Sequence, residues 1–201
     1  DGPYVVVSAL NAVMLLYMPL LSLVLPLWIV ERTDAPRWTV GSLLVINTVA
    51  VVLFQVRVAR GVTDLAGAAR SVGRSGLVML AACVVFMLSA GPSPWLAAVV
   101  LLVGACLLVL GEILLGAGAW EISFGLAPPH RHGQYQGYFG TGVAVARTIG
   151  PILLTTLVIN GGAPGWLALG VIFLVAGLAM RPTVRWAERV RAALPGAGAA
   201  P

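Results

Sequence analysis

Hydrophobic residues run along this chain in long blocks, and short segments between them hold nearly all of the charge. The longest block, 95–126, reads WLAAVVLLVGACLLVLGEILLGAGAWEISFGL and exceeds the roughly 20 apolar residues that carry a helix across a bilayer. Five further blocks, at 4–30, 38–56, 75–91, 135–160 and 166–180, complete the pattern. Together they predict an all-α membrane protein, with six transmembrane helices packed into one bundle over residues 1–180. The segment RPTVRWAERVRAAL, 181–194, reads as an amphipathic cytoplasmic helix that offers Val184, Trp186 and Val190 to the membrane interface. The stretch PGAGAAP, 195–201, reads as a disordered, low-complexity tail.

Composition sharpens this picture. The 201 residues are 60% hydrophobic and 9% charged, against about a quarter charged in soluble domains, and six spans with their loops leave no length for a soluble domain. The net charge of +5 comes from twelve arginines and no lysine. All but Arg147 sit in the segments outside the apolar blocks, so they report topology and not nucleic-acid binding. Arg57, Arg60, Arg70, Arg74, Arg131, Arg181, Arg185, Arg189 and Arg191 fall on one side, and only Arg32 and Arg37 on the other. Nine against two predicts a multi-pass protein of the cell membrane with both ends of the chain in the cytoplasm. Cys83 and Cys106 lie inside apolar blocks and suggest neither a disulfide framework nor a metal site. Because the chain starts at Asp1 and not at Met, it reads as part of something longer.

The polar residues inside the blocks are where function would reside. In the first, Tyr4, Ser8, Asn11 and Ser22 fall within roughly 60° of one another at about 100° per residue, a stripe that predicts a face toward a bundle interior or cavity. Pro19 and Pro26 are expected to bend that helix. The second block holds Asn47, Thr48 and Gln55; the fifth holds Arg147, with Thr141, Thr148 and Thr155 seven apart beside it. The fourth carries Glu112 and Glu121, and a stripe of Gly104, Gly111 and Gly118 suited to close helix contact. The third and sixth blocks carry almost no polar residue. Such a three-span period, repeated twice, is what inverted-repeat transporters show, with the site near mid-membrane at the repeat interface.

A carboxylate at bilayer depth costs several kcal/mol, so it faces a partner or a wet cavity. Glu112 lies about 14 residues, or ~21 Å, and Arg147 about 12 residues, or ~18 Å, from the cytoplasmic ends of their helices. Opposite charges at similar depth on neighbouring helices suggest a pair. Two readings of it stay open: a permanent strut, or a carboxylate that exchanges protons or partners. The candidate cavity and proton-coupling residues are therefore Ser8, Asn11, Gln55, Glu112, Arg147 and Thr148. His130 and His132 flank Arg131 as a juxtamembrane cationic cluster without further metal ligands. Neither cofactor nor metal is implied. No serine–histidine–acid set, phosphate-cradling glycine loop or HExxH occurs, so an enzyme has no chemical support.

Three segments carry a family resemblance: GEILLGAG at 111–118, LAPPHRHGQYQGYF at 126–139 and GVAVARTIGP at 142–151. Within them Arg131, Gly133, Tyr135, Gln136, Gly137, Arg147, Gly150 and Pro151 resemble the tenth span, short loop and eleventh span of a major facilitator superfamily transporter of the drug/proton antiporter kind. The loop RGVTDLAGAAR, with Gly61, Asp64, Gly67 and Arg70, is similar to a worn copy of that family's cytoplasmic gating motif, departing from it at Leu65. The resemblance covers nearly the whole chain and implies the C-terminal six-helix half of such a fold, built as 3+3 inverted repeats. It further implies alternating access, proton-coupled export of a small organic solute, gating candidates Gly61, Asp64, Gly67, Arg70 and Arg131, and an N-terminal six-helix half as partner alongside the lipid bilayer. The alternative is a six-span membrane scaffold or assembly factor that does not transport; its activity would survive Glu112→Gln.

Overall fold

The computed structural model describes residues 2–193, so the expected disordered tail at 195–201 lies outside the described residues. Six helices are long and apolar enough to cross a membrane: α1 (Gly2–Arg32), α2 (Trp38–Ala59), α3 (Leu65–Met87), α4 (Pro94–Gly125), α5 (His132–Asn160) and α6 (Gly162–Ala192). No strand occurs among the described residues.

Two boundaries differ from the sequence expectation by ten residues or more. The third helix begins at Leu65, not Ser75, because the Asp64 side chain caps it: Gly67 N–H donates to Asp64 Oδ1 at 2.9 Å. The Ala-rich turns that follow then carry Arg70 and Arg74 outward on a helix, where a loop was expected. Asp64→Ala should cost about 1 kcal/mol in detergent unfolding. Asp64→Asn, which caps equally well, should cost nearly nothing.

At the other end, the expected break between a span ending at Met180 and a surface helix at 181–194 is absent. A single helix runs from Gly162 to Ala192 through Pro182. Proline takes the Leu178 carbonyl's usual donor away, and Thr183 Oγ1 adds a back-bond beside it, donating to the Ala179 carbonyl at 2.8 Å. Gly162, at φ +60°, takes the left-handed backbone that reverses the chain out of α5.

Helix α1 is not regular. It relaxes through Leu15–Leu16 and widens to π-helical hydrogen bonding over Leu20–Val24. Pro19 and Pro26 bracket this stretch; each lacks an N–H and crowds the preceding turn, and a wide turn relieves both. Helix α5 repeats the device at Thr155–Asn160, just after Pro151.

The helices pair in a regular way. α3 packs against α4 and α6, α2 against α4, and α1 against α5 and α6, while the last turns of α5 also pack on α6 without an α2–α3 counterpart. Shifting every number by three turns α1–α5 into α4–α2 and α1–α6 into α4–α3, and maps α3–α6 onto itself. α3 is thus the centre of the packing, and glycines let its neighbours come close. On α4, Gly104 faces the Phe86 ring, Gly111 faces Met79, and Gly118 faces the Ala68 carbonyl and Val72. The glycine stripe of α4 is therefore the seam with α3. Ser75 and Ser71 of α3 tie the same seam by donating to the Gly111 carbonyl at 2.7 Å and the Leu114 carbonyl at 2.8 Å.

Each end of the bundle has its own fastening. At the end near residues 88–94, Trp28 Nε1 donates to Ser89 Oγ at 3.0 Å, and the buried Trp166 meets Trp28 edge-on and Phe86 at a tilt. At the arginine-rich end, Tyr4 directs its hydroxyl at the Tyr135 carbonyl, 3.1 Å away, with the Ser123 carbonyl at 3.4 Å. Gln136 Nε2 donates to Ser123 Oγ, and Arg191 Nη1 to the Gly125 carbonyl.

Candidate functional site

Glu112 sits in the middle of α4, the residue after the Gly111 that seats on α3. Its neighbours in sequence, Gly111 and Ile113, are buried, while Glu112 itself is half-buried. The helix thus turns one face to α3 and presents the carboxylate on another, toward α1 and α2. There it meets two neutral donors. Asn47 Nδ2 of α2 donates to Oε2 at 2.5 Å, and the Tyr17 hydroxyl of α1 donates to Oε1 at 3.3 Å.

The same carboxylate opens onto a cavity of about 440 Å3. Tyr17, Met18, Pro19, Leu21, Ser22 and Leu23 of α1 and Arg147 and Pro151 of α5 form the rest of its wall. The proline-disturbed stretch of α1 is what brings Tyr17 and Ser22 to one space. Ser22 was expected on the face of Tyr4, Ser8 and Asn11; the relaxed and widened turns change the phase, and Ser22 is exposed while those three are buried.

The expected Glu112–Arg147 pair does not form. Both side chains line the cavity, but Glu112 is bonded to Asn47 and Tyr17, and Arg147 makes no side-chain hydrogen bond or ion pair among the described residues. Depth along two helices says nothing about the direction each residue faces, and α4 and α5 share only a slender contact.

The other candidates are dispersed. Asn11 is 2% exposed, with Oδ1 lacking a hydrogen-bond partner. Ser8, also buried, edges an apolar groove of about 390 Å3 between α1 and α5. Thr148 is exposed on α5 and is not among the residues lining the Glu112 cavity. Gln55 lies two turns beyond Asn47 and lines a separate cavity with Arg60, Trp120 and Glu121. Of the gating candidates, Asp64 spends its carboxylate on its own helix cap, with Gly67 as the donor. Gly61 and Arg131 are exposed in their turns, and Arg70 faces α6 in a groove described below.

Asn47 and Tyr17 are the two site residues that the sequence did not single out. A signal existed. Twelve residues separate Asn47 from Ala59, thirteen separate Glu112 from Gly125, and fifteen separate Tyr17 from Gly2. At 1.5 Å per residue all three lie about 18–23 Å from the arginine-rich end.

No protein-family model, curated protein or solved structure matches the chain. The functional reading therefore stands on the residues and their geometry.

Proposed function

We propose that this chain is one six-helix half of a secondary transporter of the major facilitator kind. It moves a small organic solute by alternating access, and Glu112 carries the coupled proton. A second six-helix half completes the cavity.

One observation carries the reading: a carboxylate deep in an apolar bundle is held only by neutral donors and opens onto a cavity. A side chain kept for structure at that depth would be neutralised by a permanent counter-charge, because a lone charge there is costly. Tyr17 and Asn47 satisfy Glu112 without neutralising it. Proton uptake by Glu112 thus strands no cation, and proton release leaves the carboxylate bonded. Arg147 stands across the same space, free to attract the carboxylate or a substrate anion as the cavity changes shape.

Two further features support it. Apart from the α5–α6 contact, the main helix pairings repeat under a shift of three, the arrangement that inverted repeats produce. The wide turns fall on α1 and α5, both of which wall the cavity, and π-helical turns are frequent at functional sites.

The test is reconstitution of the product of the complete reading frame that encodes this chain. In proteoliposomes under an imposed pH gradient, ethidium serves as the probe cation and an internal dye reports protons. The expected result is gradient-driven ethidium movement with an opposite proton flux. If protons do not move with or without a panel of organic cations and anions, the proposal fails.

A further inference from the structure

Away from the Glu112 cavity, a groove of about 340 Å3 runs between α3 and α6. Arg70 and Arg74, one turn apart on α3, and Arg181 on α6 line it, together with Leu77, Leu174 and Leu178. The floor is glycine: a Cβ on Gly73 would lie 3.6 Å from the Gly177 carbonyl oxygen. Because the two helices are antiparallel and cross at these glycines, one turn onward from Gly177 brings Arg181 level with Arg70. The polar end of the groove therefore gathers three guanidinium groups at the arginine-rich end of the bundle, and the leucines extend from them toward its middle.

No carboxylate lines the groove, and none of the three arginines makes a side-chain hydrogen bond or ion pair among the described residues. The Asp64 carboxylate lies beside Gly67 near the Arg70 guanidinium but is engaged in its helix cap. Leu77 and Leu178 are 57% and 58% exposed, on helices apolar enough to lie in a bilayer. Three unpaired guanidinium groups call for an anion, which Arg binds through two parallel N–H donors. The leucine wall calls for hydrocarbon. A free phosphate would satisfy only the first. Phosphatidylcholine would bring a cation against three others.

We propose that this groove binds one anionic phospholipid. Its phosphate sits among Arg70, Arg74 and Arg181, and an acyl chain runs along Leu77, Leu174 and Leu178. Basic pockets between membrane helices hold anionic headgroups in this way. The inference does not depend on whether the chain transports anything.

Native mass spectrometry of the 201-residue chain, released from bilayers of mixed phosphatidylglycerol and phosphatidylcholine, tests it. The chain should retain phosphatidylglycerol in preference to phosphatidylcholine. Binding should weaken about fivefold for each arginine replaced by Gln, and be lost in the triple variant Arg70→Gln/Arg74→Gln/Arg181→Gln. The control Arg57→Gln/Arg60→Gln, which removes charge from the neighbouring loop, should bind as the parent does. If the triple variant does not fold, as judged by its helical circular dichroism, Arg181→Gln alone carries the test. Undiminished retention in the folded groove variants would overturn the proposal. So would equal loss in the control, or displacement of the lipid by millimolar inorganic phosphate.

Discussion

Glu112→Gln is expected to reduce pH-driven flux to the level of protein-free liposomes while leaving the bundle folded. Glutamine matches glutamate in size, and its side-chain oxygen accepts a hydrogen bond from Asn47 or Tyr17 as the carboxylate does. Its amide nitrogen then faces the other donor, so one bond of about 1 kcal/mol is the expected loss. Had Glu112 been locked to Arg147, the same change would leave a bare guanidinium inside the bundle and cost about 3–5 kcal/mol. Unfolding in detergent separates the two cases directly. A loss of about 1 kcal/mol together with abolished coupling marks an exchangeable proton site, whereas a loss several times larger marks a structural strut. Unchanged flux in a folded Glu112→Gln protein would end the proton-carrier role of Glu112, whereas no flux in the parent protein favours the non-transporting scaffold.

The second large effect concerns the contacts of α3. At Gly118 an added methyl would sit 2.6 Å from the Ala68 carbonyl oxygen, and at Gly76 it would sit 2.5 Å from that of Phe173. Backbone oxygens in packed helices cannot swing aside, so each helix pair must separate along its length. Gly118→Ala and Gly76→Ala should each destabilise the bundle by about 1–3 kcal/mol. At Gly111 the obstacle is Met79 Cγ at 2.8 Å, part of a flexible side chain that can move to another rotamer. Gly111→Ala should therefore be the mildest of the three. Gly41 on α2 has nothing within 4 Å, and Gly41→Ala should leave stability unchanged or slightly raised. Equal losses at Gly118 and Gly41 would mean that the α3–α4 seam is not as described.

Much of this architecture was legible in the chain because a bilayer makes simple demands. Apolar runs of helix length, separated by arginine-bearing loops or by short Gly/Pro turns, identify all six helices, and Glu112 stands out as an acid well inside the longest run. What failed was the reading of helix ends. Hydropathy takes Arg70 and Arg74 as loop and Arg181-Pro182 as a stop. Yet a helix can keep its backbone bonds while arginines point outward, and a capping Asp64 or a Thr183 back-bond settles the ends locally.

The site was half legible for a similar reason. Depth can be counted along a sequence, but azimuth cannot once prolines disturb the helix. Tyr17 lies between a relaxed turn and a π-helical one, so its direction toward Glu112 had no periodic signature. Asn47, a neutral residue in an apolar helix, reads equally well as helix-packing glue. The Glu112–Arg147 pair was a reasonable expectation from charge and depth, but Asn47 and Tyr17 occupy the carboxylate instead.

The central claim is that Tyr17, Ser22, Glu112 and Arg147 face one watery space inside an otherwise lipid-facing bundle. It is tested most directly by single cysteines placed in a Cys83→Ala/Cys106→Ala background. Ser22→Cys and Arg147→Cys probe the cavity, and Val175→Cys probes the outer face of α6, where Val175 is 59% exposed. A charged, membrane-impermeant thiol reagent applied to the chain in liposomes should label positions 22 and 147 readily and position 175 hardly at all. Labelling at 175 that equals or exceeds labelling at 22 and 147 would contradict the account.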